Sequence, residues 1–401
     1  MKHILENNKL KVTLGTKGGE LYNIEGRLDN VQYLWNGRKY GWPLSAPTLF
    51  PIICKVKDNQ YLLDGKKYKM NQHGFASLLK HKVILKTKNE IAFELKYTED
   101  TLKNYPFKFS LISRYVLKDN IIEVNFKIVN LDKKPIIFTI GSHPSFTCPL
   151  YKKDNLEDYY LEFNEVEDEG TILEITKDDY LTGDKKVYLH KTNLIPLTTD
   201  TFKGGTLIFD NLKSNMISLK SKKHKKSISV EFEEFTYLSL WATENTRPFV
   251  CIEPWLGHAD YNEFSGEFKD KEGNIVLGVG KTFSCKYRII INQWGGDMGI
   301  VSITLISTLV LTISTKIGFF IQKVYFDVVG IALAAFLSII TGLVTLAYPI
   351  LAIILSCSMF MYLLCKIGDI ELLPDAILAS IIGIGVLGII IVKNINLINV
   401  F

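Results

Sequence analysis

From the N-terminus to about residue 290, apolar and polar side chains alternate in short runs. Ile91–Tyr97 reads IAFELKY, a period-two pattern that puts one face on a core and the other in water. Phe109–Leu117 and Ile121–Val129 repeat it, with Asp119-Asn120 between them as a tight-turn signal. Asn215–Leu219, Ser227–Phe232, Tyr237–Trp241 and Tyr287–Ile291 continue the series. Turn-forming clusters fall between such runs at Asp64-Gly65, Thr182-Gly183-Asp184 and Lys271-Glu272-Gly273-Asn274. No helical period lasts beyond about two turns in this part of the chain. Many short strands with frequent turns predict an all-β fold. Over this length, one large antiparallel β-sandwich is expected rather than two small domains.

After Gly299 the pattern changes. The only charges left are Lys316, Lys323, Asp327, Lys366, Asp369, Glu371, Asp375 and Lys393. A membrane-spanning helix needs about 20 apolar residues, and Val328–Ala347 supplies such a run without a charge. The expected division is a β-sandwich domain over 1–294 and an α-helical transmembrane region over 295–401. Four spans are predicted, at about 299–320, 328–347, 349–364 and 376–392, with Tyr348-Pro349 breaking the central block. No ionisable residue sits near the middle of the stronger runs, so a lipid-bilayer anchor is expected rather than a solute path.

Composition adds little, because the whole-chain averages mix two unlike parts. The net charge of +5 is dispersed. Its densest run, Lys220–Lys226 (KSKKHKK), reads as a solvated hairpin turn, so no nucleic-acid partner is expected. The six cysteines, Cys54, Cys148, Cys251, Cys285, Cys357 and Cys365, form no CxxC pair. Neither a disulfide framework nor a zinc motif follows from that spacing. The N-terminus, MKHILENNKLKVTL, has no apolar signal-peptide core, so the β domain is expected in the cytoplasm beside the membrane.

Three strings place ionisable groups beside small or aromatic residues: Asn71-Gln72-His73-Gly74-Phe75-Ala76, Gly141-Ser142-His143-Pro144-Ser145-Phe146 and Cys251-Ile252-Glu253-Pro254-Trp255. Proton-transfer groups beside ring faces suit a pocket for a polar, ring-shaped ligand. Each also has a plainer reading. His73 would serve as a turn residue packed under Phe75, His143 as a backbone hydrogen-bonder, and Glu253 as an exposed strand-end carboxylate.

In order along residues 1–292, these strings resemble the aldose 1-epimerase (galactose mutarotase) family, in the branch with HGFA (73–76) and IEPW (252–255). Trp35-Asn36-Gly37, Leu49-Phe50-Pro51, Asp64-Gly65-Lys66 and GSHPSF (141–146) add to the resemblance. It implies the galactose mutarotase-like supersandwich and interconversion of the α and β anomers of an aldose or sugar phosphate, without a cofactor or metal. His143 matches the general acid toward the ring oxygen, and Glu253 the general base toward the C1 hydroxyl. His73 matches a histidine that holds and polarises the sugar, and Asp210 lies about where the family places a hydroxyl ligand. Trp255, Trp241, Phe75 and Phe146 are candidate ring faces for the sugar. Two positions depart from the family pattern. Cys54-Lys55 stands where Gly-Arg is expected, making Lys55 the candidate substrate cation, and Ser77 follows HGFA where Arg is common. Lys lacks the planar fork of Arg, so the departures leave a second reading open: a non-catalytic carbohydrate-binding sensor or accessory domain of a membrane protein.

Overall fold

The structure, a computed structural model, describes residues 1–36, 42–243 and 249–293. They all belong to one unit, Met1–Gly295. Among the described residues no helix is long and apolar enough to cross a membrane. The four expected spans lie in 294–401, outside the described residues.

The regular structure of the described residues is almost entirely β-strand, with one short α-helix, Glu99–Asn104, and four short 3₁₀ turns. The alternation read from the sequence appears directly in burial. In Ile121–Asn130, Ile122, Val124, Phe126 and Ile128 point inward, while Glu123, Asn125 and Lys127 point away. Strands found at Glu90–Lys96, Phe109–Lys118, Met216–Ser221 and Tyr237–Trp241 match the predicted runs to within a residue or two.

A 15-stranded sheet organises the fold. It runs from Thr48–Leu49 through Ile140–Ser142, Phe249–Leu256, Tyr237–Trp241 and Leu207–Phe209 to the long strand Tyr159–Ile175. It continues through Met216–Ser221, Ser227–Glu231 and Thr282–Asn292 to the meander ending at Lys82–Lys86. The sheet folds back on itself. Ser142, on the second strand of that order, meets Tyr287, on the ninth, through a 2.8 Å hydroxyl–hydroxyl hydrogen bond. A separate three-stranded sheet, Lys2–Glu6, Leu10–Gly15 and Leu21–Gly26, contributes Leu10, Val12, Leu14 and Ile24 to the same core. Burying each such side chain favours folding by about 1.5–3 kcal/mol.

Two predicted turns come out differently. Thr182-Gly183-Asp184 lies inside the strand Leu181–Pro196, and the reversal falls earlier, between Ile175 and Leu181. Lys220–Lys226 does close the hairpin between Met216–Ser221 and Ser227–Glu231, but it is not merely solvated. Lys220, Lys223 and Lys226 pair with Glu162, Asp158 and Asp29. Cys54, Cys148, Cys251 and Cys285 are buried free thiols.

The strand that positions the site breaks the alternating rule. Phe249–Leu256 is buried on both faces up to its last residue. Val250 and Ile252 join the main core, whereas Phe249, Cys251 and Trp255 belong to smaller clusters on the other side. The neighbouring strands divide in the same way. Leu238 and Leu240 enter the core while Tyr237 and Trp241 turn away; Leu207 and Phe209 enter it while Ile208 turns away. The second face of these central strands forms the wall of a cavity.

Candidate active site

The cavity has a volume of about 320 Å³, near the lower end for small-molecule sites. Register explains its chemistry. Gly141 faces Trp255 and Ser145 faces Cys251 across an antiparallel ladder. The same register carried across the gap puts His143 opposite Glu253, and directly opposed residues share a face. Pro144 has no N–H to give, so the ladder opens there. Its carbonyl still accepts from the Ile252 N–H at 3.1 Å. The two side chains meet with His143 Nε2 3.3 Å from Glu253 Oε2.

Both groups are almost dry, at 7% and 1% side-chain exposure, which sets their protonation. Burial holds the Glu253 carboxyl well above the usual carboxylate range, the Trp255 indole opposing it. Burial, then the neighbouring His73, holds the His143 imidazole well below its ordinary value. Burial thus favours the uncharged form of both groups, and at this separation their titrations are coupled rather than separate. Aromatic rings fix the imidazole. Trp42 stacks on it at 4.8 Å, and Trp241 meets it edge-on at 5.8 Å.

His73 is presented by a strained turn. His73 and Gly74 both adopt positive φ, +61° and +72°. A Cβ on Gly74 would lie 2.3 Å from the Phe50 carbonyl oxygen, so only glycine fits this part of HGFA. The Cys54 N–H donates to His73 Nδ1 at 3.1 Å, which leaves the ring proton on Nε2. Burial lowers the His73 pKa to about 4, so the ring is a neutral donor at pH 7. Its centroid lies 5.7 Å from that of His143.

Of the residues singled out in the sequence, His73, His143, Glu253, Trp241 and Trp255 line the cavity. Lys55 and Asp210 are not among the lining residues. The Lys55 ammonium is drawn to Asp179 Oδ2 at 3.0 Å. The Asp210 carboxylate accepts from Thr171 and pairs with Lys185. Phe146 is fully buried in the main core and Phe75 packs against it, so neither offers a ring to this cavity. Cys54 and Ser77, the two departures from the family pattern, are both in the wall. Sequence reasoning missed Trp42, Gln72 as a wall residue, and Asp179. Asp179 stands at positive φ in the turn between the two longest strands. An acid in a TKDDY turn carries no signal that separates it from any solvated turn residue.

The aldose 1-epimerase family model matches residues 1–275. The chain belongs to the aldose 1-epimerase family, a family of isomerases. Protein LacX of Lactococcus lactis subsp. lactis is 32% identical over 278 residues, 67% of this chain and 91% of that protein. A galactose mutarotase related enzyme from Lactobacillus acidophilus is 32% identical with a TM-score of 0.70, covering 73% of this chain and 98% of its own. A galactose mutarotase-like protein from Lactobacillus casei is 31% identical with a TM-score of 0.69, covering 73% of this chain and all of its own. The β-sandwich predicted from the strand pattern is thus that of the galactose mutarotase fold.

Proposed function

We propose that the chain interconverts the α and β anomers of a free aldose by opening and reclosing its hemiacetal ring, with His143 and Glu253 as the acid–base pair. The observation that carries this reading is the 3.3 Å contact of the two groups at the wall of a sugar-sized cavity. Sugar hydroxyls at the carboxylate replace its dry surroundings and favour the ionised form, which passes the shared proton to His143. Glu253 then takes the proton of the C1 hydroxyl while the imidazolium gives its proton to the ring oxygen, and the C1–O bond to the ring breaks. The products are the open-chain aldehyde, a protonated Glu253 and a neutral His143. The dry pocket favours that same neutral pair, so burial stabilises the state that accompanies the open chain. Rotation about C1–C2 and the reverse transfers close the ring on the other face. Neutral His73 contributes an Nε2–H donor to the sugar, and the faces of Trp241 and Trp255 suit its C–H surface.

Among the described residues the ionisable groups of the wall are Cys54, His73, His143, Asp179 and Glu253; burial keeps the Cys54 thiol neutral, and the nearby Lys55 is already paired. This lining suits an uncharged aldose better than a sugar phosphate. Polarimetry on freshly dissolved α-glucose and α-galactose, with the corresponding 6-phosphates in parallel, tests the assignment. The free sugars should reach equilibrium faster with protein than without. Solvent-rate decay for every aldose would end the enzymatic reading and favour the carbohydrate-binding one.

We further propose that 295–401 anchors the catalytic unit at the cytoplasmic face of a membrane. The apolar runs support this, above all the uncharged stretch Val328–Ala347. Retention of the full chain in membranes after alkaline carbonate washing is the expected result, and release into the supernatant contradicts the anchor.

A further inference from the structure

One buried group beside the acid–base pair has no part in the reaction above. Cys251 precedes Glu253 by two residues on the same strand, so both side chains leave on the same face. One ligand atom each from His143, Cys251 and Glu253 lies within 4.8 Å of the others. Tetrahedral zinc takes nitrogen, sulfur and oxygen ligands at about 2.0–2.3 Å, which sets them about 3.3–3.8 Å apart. The imidazole–carboxylate edge, at 3.3 Å, already has that length, and the thiol needs a shift of about 1 Å. A mixed imidazole, thiol and carboxylate set selects zinc-like ions over magnesium or calcium. The thiol is also oriented from behind. Ser145 Oγ lies 3.2 Å from Cys251 Sγ and itself accepts from the Trp42 indole N–H at 3.1 Å. Because His143 and Glu253 line the cavity, an ion held here keeps its fourth position toward the sugar site.

We propose that His143, Cys251 and Glu253 form an inhibitory binding site for Zn²⁺, which engages the acid–base pair and excludes the aldose. Binding exchanges the thiol proton, and the proton shared by the pair, for the ion and releases both to solvent. The site stands independently of the proposed reaction; only its inhibitory consequence rests on that reading.

The test uses the full chain stripped of metal with a chelator. Cobalt(II), added as a spectroscopic stand-in, should give a thiolate-to-metal charge-transfer band that zinc displaces and that Cys251→Ser lacks. Zinc should slow mutarotation competitively with sugar, a chelator should restore it, and Cys251→Ser should raise the inhibitory concentration by about tenfold or more. A thermal melt like that of the wild type shows that Cys251→Ser is folded; should it fail that check, Cys251→Ala takes its place. Absence of the cobalt band, or equal zinc sensitivity in the wild type and the folded cysteine variant, overturns the site. A band with no mutarotation at all strikes the proposed function and leaves the metal site standing.

Discussion

Glu253 and Asp179 both reach the cavity, from opposite kinds of structure. Glu253 sits on a central strand covered on both faces, with 1% of its side chain exposed and an imidazole opposite. Asp179 sits in a turn, half exposed, with the Lys55 ammonium on its carboxylate. Both are carboxylic acids on wall positions. One has lost its water and must share a proton to stay buried. The other stays half in water and holds the Lys55 ammonium. In the proposed reaction the inner acid is the one placed for proton transfer, while the outer one is held by an ion pair at the edge of the cavity. Position in the sheet decides which role each acid takes.

Removing the inner carboxylate is the largest challenge to that division. Glu253→Gln keeps the shape but cannot take up a proton, and the mutarotation rate should fall by about 10²–10⁴-fold with thermal stability little changed. A drop of only a few-fold would mean that the inner region is not where the chemistry occurs. Gly74→Ala should come next. Its Cβ collides with the Phe50 carbonyl at a positive-φ site, costing about 1–3 kcal/mol and displacing His73. A calorimetric melting scan should show the loss of stability, and sugar affinity should weaken with it. An unchanged melting temperature would show that the turn relaxes freely.

At the outer region the effects should be small. Lys55→Met breaks a half-exposed ion pair of about 0–1 kcal/mol, so KM should move by about fivefold or less with kcat retained. Asp210→Asn should leave KM where it is, because that carboxylate is committed to Lys185 and Thr171 away from the wall. A large KM increase in Asp210→Asn would give Asp210 back the hydroxyl-binding role implied by the family resemblance.

What the sequence revealed follows the same inner-to-outer gradient. Strands such as Ile121–Asn130 were legible because one face meets the core and the other water, which writes the fold into the alternation. His143, Glu253 and His73 were legible as wall residues through short strings, two of them tied to backbone constraints: Pro144, which opens the ladder, and Gly74, which alone fits the His73 turn. That 143 and 253 meet was expected only through the family resemblance, since register across strands far apart in sequence leaves no local trace. Asp179 was invisible for a related reason. The turn that holds it lies between strands of 17 and 16 residues whose own outward faces are polar, and Thr182-Gly183-Asp184 supplied a stronger turn signal in the wrong place. Lys55 was named for its place in the family pattern, and that pattern holds no sign of Asp179, the acid its ammonium meets in the fold.

The pH dependence of kcat/KM for a free aldose tests the shared proton most directly. Burial raises Glu253 above the ordinary carboxylate value and lowers His143 below the ordinary imidazole value, so the pair holds one proton over a window bounded by the lowered histidine and the raised carboxyl. Activity should be flat across that window. It should fall on the acid side, where a second proton removes the base, and on the alkaline side, where loss of the last proton removes the acid. A profile that instead rises through a single step near the ordinary histidine value, or one left unaltered by Glu253→Gln, would contradict a proton held jointly by residues 143 and 253.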